Sequence, residues 1–168
     1  MDPKSGLINV EGSLSFYNIY QNPWSDRNTM DYLTETPLST LRFNNVESLS
    51  ITMKLSSFGE WIPKECRYFS VRRNHLRNLV GGPEKVETYI CSGNRLTSLK
   101  GSPKSEVWSL DCSENKLKTL KGMPPEVAHL DCSENLLTSL EGCTIVTKSL
   151  NCRKNKLVSV KGAPLGID

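Results

Sequence analysis

Cysteine thiols are the side chains of this chain best suited to chemistry, because a thiolate can bind a metal, form a disulfide or attack an electrophile. Four of the six cysteines recur at intervals of 21, 20 and 20 residues: Cys91, Cys112, Cys132 and Cys152. Equivalent residues of stacked repeats form a row, which does not match tetrahedral zinc, and no Cys-x-x-Cys pair occurs. We therefore predict that these four and Cys66 pack in a core as small apolar side chains. Cys143 follows Gly142 in a loop, where we expect an exposed thiol.

Other catalytic groups are scarce. The two histidines, His75 and His129, occupy different positions of different repeats, and no serine or cysteine nucleophile pairs with a base. No phosphate-binding loop, dinucleotide fingerprint or zinc motif is present. Carboxylates around Asp111 and Asp131 could hold Ca²⁺ weakly, but a flat sheet supplies too few oxygen ligands for tight binding. The sequence predicts a protein that is not an enzyme and has no catalytic residue, metal or cofactor.

A short repeat positions these residues. Five asparagines lie 20, 21, 20 and 20 residues apart, inside one apolar pattern: Asn74, Asn94, Asn115, Asn135 and Asn155. Counted from the Asn, apolar residues occupy positions −5, −3, +2 and +5, and position −8 in four of five copies. Glycine stands at +7, and proline stands at +9 in four of five copies. A fixed period this short predicts a solenoid of stacked repeats.

Each repeat is expected to begin with a short β-strand whose −5 and −3 side chains point into the core. The Asn side chain is expected to bond backbone groups of the neighbouring turn, so that the five form a ladder. Leucines at +2 and +5 fill the core, and the glycine permits a tight turn. The proline that follows favours an irregular or polyproline-like back over a long helix.

Two regions follow from where the pattern starts. Residues 46–168 are predicted to form about six repeats, the first of them divergent because Lys54 stands where the Asn would be. Residues 1–45 do not fit the pattern and are predicted to form an N-terminal cap, with Trp24 and Phe16 in its core. Within the cap, Glu11-Gly12 could form a hairpin turn and Ser25 could start a short helix towards Leu33.

The carboxyl-terminal repeat has no visible cap, so its apolar residues are expected to lie at an open end. We expect self-association or a partner to cover them. These residues are Leu150, Cys152, Leu157 and Val160.

The unit Cys91-Ser92-Gly93-Asn94-Arg95-Leu96-Thr97-Ser98-Leu99-Lys100-Gly101-Ser102-Pro103 resembles the short leucine-rich repeat of bacterial type. It is most similar to the variant found in small leucine-rich repeat proteins of tailed bacteriophages, and the resemblance covers about residues 66–168. Secreted bacterial effectors carry a related unit, but with Leu-Pro where this chain has Leu-x-Gly. The resemblance implies a solenoid with parallel strands on a concave face. It also implies a partner-binding protein, and by analogy one that acts on host proteins, including defence machinery.

The outward positions of the strands make up this concave face, which we call the strand face. Its centre is acidic and its two ends are basic, and its aromatic and apolar residues are the better candidates for binding hot spots. Stacked carboxylates repel one another, so a cationic partner would relieve them, although flanking bases could equally neutralise a solvated surface. Trp108 could instead pack on the loop beneath it. The candidate residues are Tyr68, Arg72, Arg73, Ile90, Trp108, Asp111, Glu114, His129, Asp131, Glu134, Arg153 and Lys154.

A second charged surface follows the Asn turn, and we call it the basic edge. It could meet phosphate groups or an acidic protein, but no aromatic residues interleave for base stacking. A solvated, solubilising surface is therefore the simpler interpretation. The residues are Arg95, Lys100, Lys116, Lys118, Lys121, Lys156 and Lys161.

Composition sets limits on the partner and the compartment. The net charge of +3 is too small to predict nucleic-acid binding by itself. No apolar run approaches the roughly 18–20 residues that cross a bilayer, so no membrane partner is expected. The first residues lack the pattern of a secretory signal, which predicts a cytoplasmic protein, in the host cytoplasm if a phage encodes it.

The sequence therefore predicts a non-enzymatic module that binds a host protein through the strand face and inhibits or redirects it. The alternative is a nucleic-acid-associated or virion structural protein that uses the basic edge.

Overall fold

The structure is a computed structural model that describes residues 7–17, 42–52 and 54–164. Its strands are β1 (Leu7–Tyr17), β2 (Arg42–Thr52), β3 (Tyr68–Ser70), β4 (Thr88–Ile90), β5 (Val107–Asp111), β6 (Glu126–Asp131) and β7 (Ile145–Asn151). They form one parallel sheet in chain order. The described residues contain no helix, so the connections that return from one strand to the next are irregular. The predicted solenoid of parallel strands is confirmed.

Strand register places equivalent residues of successive repeats side by side. Leu49, Phe69, Tyr89, Leu110, Leu130 and Leu150 follow one another across the sheet at position −5. The first five are buried, with at most 2% of their surface exposed. The leucines at +2 and +5 meet them from the returning segments, where Leu76, Leu79, Leu96 and Leu99 are fully buried. One apolar core therefore runs the length of the array, as the spacing predicts.

The asparagine ladder is present and links each repeat to the one before it. The Oδ1 atom of Asn115 accepts the backbone N–H of Leu96 at 2.9 Å. Its Nδ2 atom donates to the carbonyl oxygens of Cys91 and Cys112, both at 3.1 Å. The same set of bonds recurs at the other four asparagines. Each Asn therefore satisfies backbone groups at a bend where buried polar groups would otherwise lack partners.

Two backbone positions of each repeat have positive φ. The glycines at +7 have φ between 83° and 94°, as expected for a turn that other residues resist. The residue just before each Asn is also left-handed, with φ of 53° to 66°, and it is a glycine only at Gly93. The period alone did not reveal this second turn, because Arg73, Glu114, Glu134 and Lys154 tolerate it at an energetic cost.

The amino-terminal region differs from the prediction in one respect. No hairpin turn forms at Glu11-Gly12, because β1 runs through both residues and pairs in parallel with β2. Register shifts on either side of Gly12 show a bulge at this point. Glu11 and Gly12, which were predicted to form the turn, are part of this bulge. The predicted helix from Ser25, the Trp24 core residue and the Phe16 side chain lie outside what the structure describes.

The first and last repeats each depart from the regular spacing by one residue. In the first, Leu55 donates its N–H to Asn74, which is the bond that the +2 leucines make in later repeats. Three residues (52–54) separate Ile51 from Leu55, whereas four residues (72–75) separate Val71 from Leu76 in the next repeat. In the last, β7 carries one extra residue, so that Val146 rather than Thr147 enters the core.

The carboxyl-terminal repeat is the least covered part of the described array. Leu150, Cys152 and Leu157 are half-buried against the core, while Val158 and Val160 are 88% and 79% exposed. Val160 occupies the +5 position but stays exposed, as expected at an open end, since no described repeat packs over it.

Within the described ranges, no helix is long and apolar enough to cross a membrane.

Candidate functional site

The parallel register sets the strand face out in columns. At position −4, Ile90, Asp111, Asp131 and Asn151 are direct neighbours on successive strands. At position −6, Ser109 lies beside His129, which lies beside Ser149. Adjacent strands are separated by about 4.8 Å, so the central carboxylates of Asp111 and Asp131 are stacked as predicted.

Asp111 and Asp131 also accept hydrogen bonds from serines of the following turn, which their positions in the sequence did not reveal. The Oδ1 atom of Asp111 accepts the N–H of Ser113 at 3.0 Å and its Oγ–H at 2.6 Å. Asp131 and Ser133 repeat this arrangement at 2.9 and 2.6 Å. The second oxygen of Asp131 accepts a bond from Asn151 at 2.8 Å. Within the described residues, the second carboxylate oxygen of Asp111 has no such donor and remains available to a partner.

The serines at position −2, which are Ser92, Ser113 and Ser133, do not face solvent as the alternation of the strand predicts. Ser92 is fully buried and Ser113 is 8% exposed, because the left-handed residue that follows turns the chain inward and ends the alternation. The Oγ atom of Ser92 has no hydrogen-bond partner within the described residues. Ile90 stands in its repeat where the two following repeats have Asp111 and Asp131, which explains the missing acceptor.

Some charges of the strand face are neutralised by other residues of the same face. Lys154 lies 2.7 Å from the carboxylate of Glu134, and Arg153 donates to Asn151 at 3.2 Å. Arg72, Arg73 and Glu114 are exposed and form no ion pair within the described residues. Glu134 and Lys154 are thus paired with each other. The carboxylates of the acidic centre without an ion pair within the described residues are Asp111, Glu114 and Asp131, and the unpaired cations at the ends are Arg72, Arg73 and Arg153.

Trp108 is the exposed aromatic side chain of the strand face. It is 56% exposed, and its ring meets His129 edge-on with 5.2 Å between centroids. The Nζ atom of Lys148 lies 5.3 Å from the centroid of the Trp108 ring. His129 is held in turn by Ser149, with 2.8 Å between Nδ1 and Oγ. Trp108 thus groups with His129 and Lys148, whereas Tyr68 and Ile90 are half-buried on earlier repeats.

Three of the five cysteines predicted to lie in the core are buried there, while Cys66 and Cys152 are half-buried against it. Cys91, Cys112 and Cys132 are fully buried, and burial raises the pKa of the Cys132 thiol to about 12. Burial also raises the pKa of Cys66 to about 12. Cys143 is half-buried rather than exposed, and burial, followed by the neighbouring Cys152, raises its pKa. These thiols stay protonated near neutral pH, which disfavours thiolate chemistry.

Opposite charges from successive repeats pair at the side of the array where the strands begin. Arg67 bridges Glu47 and Glu87 at 3.5 and 3.0 Å. Glu84 bridges Lys64 and Lys104 at 3.6 and 3.3 Å. A groove of about 1100 Å³ lies beside these pairs and is lined by charged and apolar residues, among them Lys64, Arg67, Glu87, Lys104, Pro63, Cys66 and Val86. The signal in the sequence that could have revealed these ion pairs is the recurrence of opposite charges about 20 residues apart.

Within the described residues, no group of three or more histidine, cysteine or acidic side chains could hold a metal ion.

No protein-family model matches the chain, and no curated protein or solved structure is significantly similar to it.

Proposed function

We propose that this chain is a non-enzymatic protein-binding module, built from leucine-rich repeats of the bacterial type, that captures another protein through the strand face. The observation that carries the proposal is Trp108, which stays 56% exposed on β5 beside His129 and Lys148. Asp111, whose second carboxylate oxygen has no donor within the described residues, lies at the end of the same strand. Binding hot spots are enriched in exposed aromatic side chains of this kind.

The contrast between repeat positions that vary little and positions that vary supports this proposal. Positions −5, −3, 0 and +2 are occupied by side chains that build the core and the ladder, so they are similar in every repeat. Positions −7, −6, −4 and −1 carry a different residue in almost every repeat, as a surface fitted to one partner would. The resemblance to phage proteins supports a bacterial host protein as the partner, with occlusion of that protein as the mechanism.

The strand face is tested with two variants that leave the fold intact. Trp108→Ala removes the exposed ring, and we expect at least about tenfold weaker capture of the partner from a bacterial lysate. Its unfolding free energy should fall by only about 1 kcal/mol, because the lost contacts are at the surface. Asp111→Asn with Asp131→Asn removes the charge but keeps an oxygen for the serine bonds, as Asn151 does natively for Arg153. This variant should weaken capture by a similar factor.

The matched control is Glu106→Gln with Glu126→Gln, which removes two carboxylates from residues outside the strand face. Capture by the control should equal capture by the original chain. Equal recovery of the same protein by the original chain, both strand-face variants and the control would contradict the proposal.

A further inference from the structure

The positive charges of the array are neutralised unequally on its two sides. Where the strands begin, Lys64, Arg67, Lys85 and Lys104 each pair with a carboxylate of a neighbouring repeat at 3.0 to 3.7 Å. On the basic edge, Lys121 has such a partner, Glu141 at 3.4 Å. The other six residues of the basic edge form no ion pair within the described part of the chain, although all are exposed.

The fold holds these six cations in fixed columns. Positions +1 and +3 flank the buried leucine at +2, so their side chains point away from the core. Backbone bonds fix the columns, since the N–H groups of Arg95 and Lys116 donate to Leu76 and Leu96 of the preceding repeats at 2.9 Å. The backbones of Arg95 and Lys116, which are adjacent in the +1 column, are therefore held about 4.8 Å apart, while Leu136 separates Lys116 from Lys156. This spacing maintains like-charge repulsion that a polyanion would relieve.

Charge is also segregated across the molecule. The segments that follow the five asparagines contain eight lysines and arginines, including Arg77, and one carboxylate, Glu141. They carry a net charge of +7, whereas the whole chain carries +3, so the remainder carries −4. The small total charge thus conceals a strongly positive side. The segments are 75–80, 95–100, 116–121, 136–141 and 156–161.

We propose that the basic edge binds the phosphate backbone of duplex nucleic acid without reading its base sequence. Five of the six unpaired cations are lysines, which act as point charges towards phosphate rather than as bidentate readers of base edges. The five segments contain no aromatic residue, which removes the stacking that single strands need. The same absence disfavours an acidic protein as the partner, since hot spots of protein interfaces are enriched in Trp and Tyr.

Binding at the basic edge is independent of the strand face. A module that used both surfaces would hold a protein partner beside nucleic acid. A variant can therefore lose binding at one surface and keep binding at the other.

The test is fluorescence anisotropy with a labelled 20-base-pair duplex DNA, titrated with the full chain at salt concentrations from about 50 to about 200 mM. We expect dissociation constants of about 10⁻⁶ to 10⁻⁴ M. Contact with three or four phosphates should give a slope of about −3 for log affinity against log salt. Lys116→Gln with Lys118→Gln should make this slope about 2 less steep and weaken binding at low salt at least about tenfold.

The control variant, Lys64→Gln with Lys104→Gln, removes the same charge from the paired side and should bind within about twofold of the original chain. Asp111→Asn with Asp131→Asn should bind DNA normally, which separates this test from that of the strand face. Circular dichroism establishes that each variant is folded. Absence of binding at low salt, equal weakening by the two lysine variants, or equally tight binding of polyglutamate would overturn the proposal.

Discussion

Replacing Asn115 with alanine is expected to lower the free energy of unfolding by about 2 to 6 kcal/mol. The change removes the acceptor of the buried Leu96 N–H and the donor to the carbonyls of Cys91 and Cys112. The buried Leu96 N–H is left without a partner, which costs about 1 to 3 kcal/mol. The carbonyls of Cys91 and Cys112 keep a bond from Asn94 and from Asn135, so each bond lost there costs about 0.5 to 1.5 kcal/mol. Since domains are commonly stable by about 5 to 15 kcal/mol, this single change removes much of the stability of the array. Urea denaturation followed by circular dichroism measures the loss.

Asn155 provides the matched control. It makes the same bonds to Leu137, Cys132 and Cys152, but in the last repeat, where these groups are only partly buried. Asn155→Ala should therefore cost about 1 kcal/mol, because water replaces the lost partners. Equal losses for the two variants would show that the ladder does not stabilise the core through buried bonds.

Replacing Gly101 with alanine is expected to be at least as damaging, for a steric reason. A Cβ atom at this position would lie 2.3 Å from the backbone carbon of Leu79 and from the nitrogen of Val80. The backbone cannot give way easily, because Leu79 donates its N–H to Lys100 at 2.8 Å in the same turn. We expect the unfolding free energy to fall by about 4 kcal/mol or more, through separation of the two repeats.

Gly122 separates this clash from backbone strain. Its φ of 94° matches the 92° of Gly101, but a Cβ there would lie 3.1 Å from its nearest backbone atom. Gly122→Ala should therefore cost only the strain of the turn, about 1 to 3 kcal/mol. If thermal unfolding shows the two variants to be equally destabilised, the close backbone approach at Gly101 adds nothing to the cost of the substitution.

The sequence was sufficient to predict the fold because each core position recurs with the period. Leu110, Cys112 and Leu117 are identifiable as inward residues from one copy of the repeat, and all of them are buried. The Asn ladder was predictable for the same reason, since a buried amide at a bend must find backbone partners.

Register shifts were harder to predict, because a bulge and a turn use the same residues. Glu11-Gly12 has the composition of a hairpin turn, yet it forms a bulge within one strand whose partner is the parallel β2. The choice depends on the neighbouring strand, which short-range sequence signals do not describe. The extra residue that brings Val146 into the core has the same origin.

The candidate surface was predictable in outline, but the use of its charges was not. Asp111 and Asp131 are on the strand face as expected, and each also braces a serine of the following turn. Position alone does not show whether a carboxylate oxygen is engaged or available. The ion pairs of Glu84 and Arg67 span residues about 20 positions apart, so they become evident only when the repeats are aligned by charge.

Site-specific photo-crosslinking locates the bound partner most directly. A photoreactive amino acid replaces Thr88, which lies on the strand side of the array at position −6, or Thr97, which lies on the returning side at position +3. Each chain is irradiated in a bacterial lysate and its adducts are identified by mass spectrometry. The account predicts one protein crosslinked through position 88 and absent from the adducts of position 97. The same protein crosslinked through position 97, with none through position 88, would contradict it.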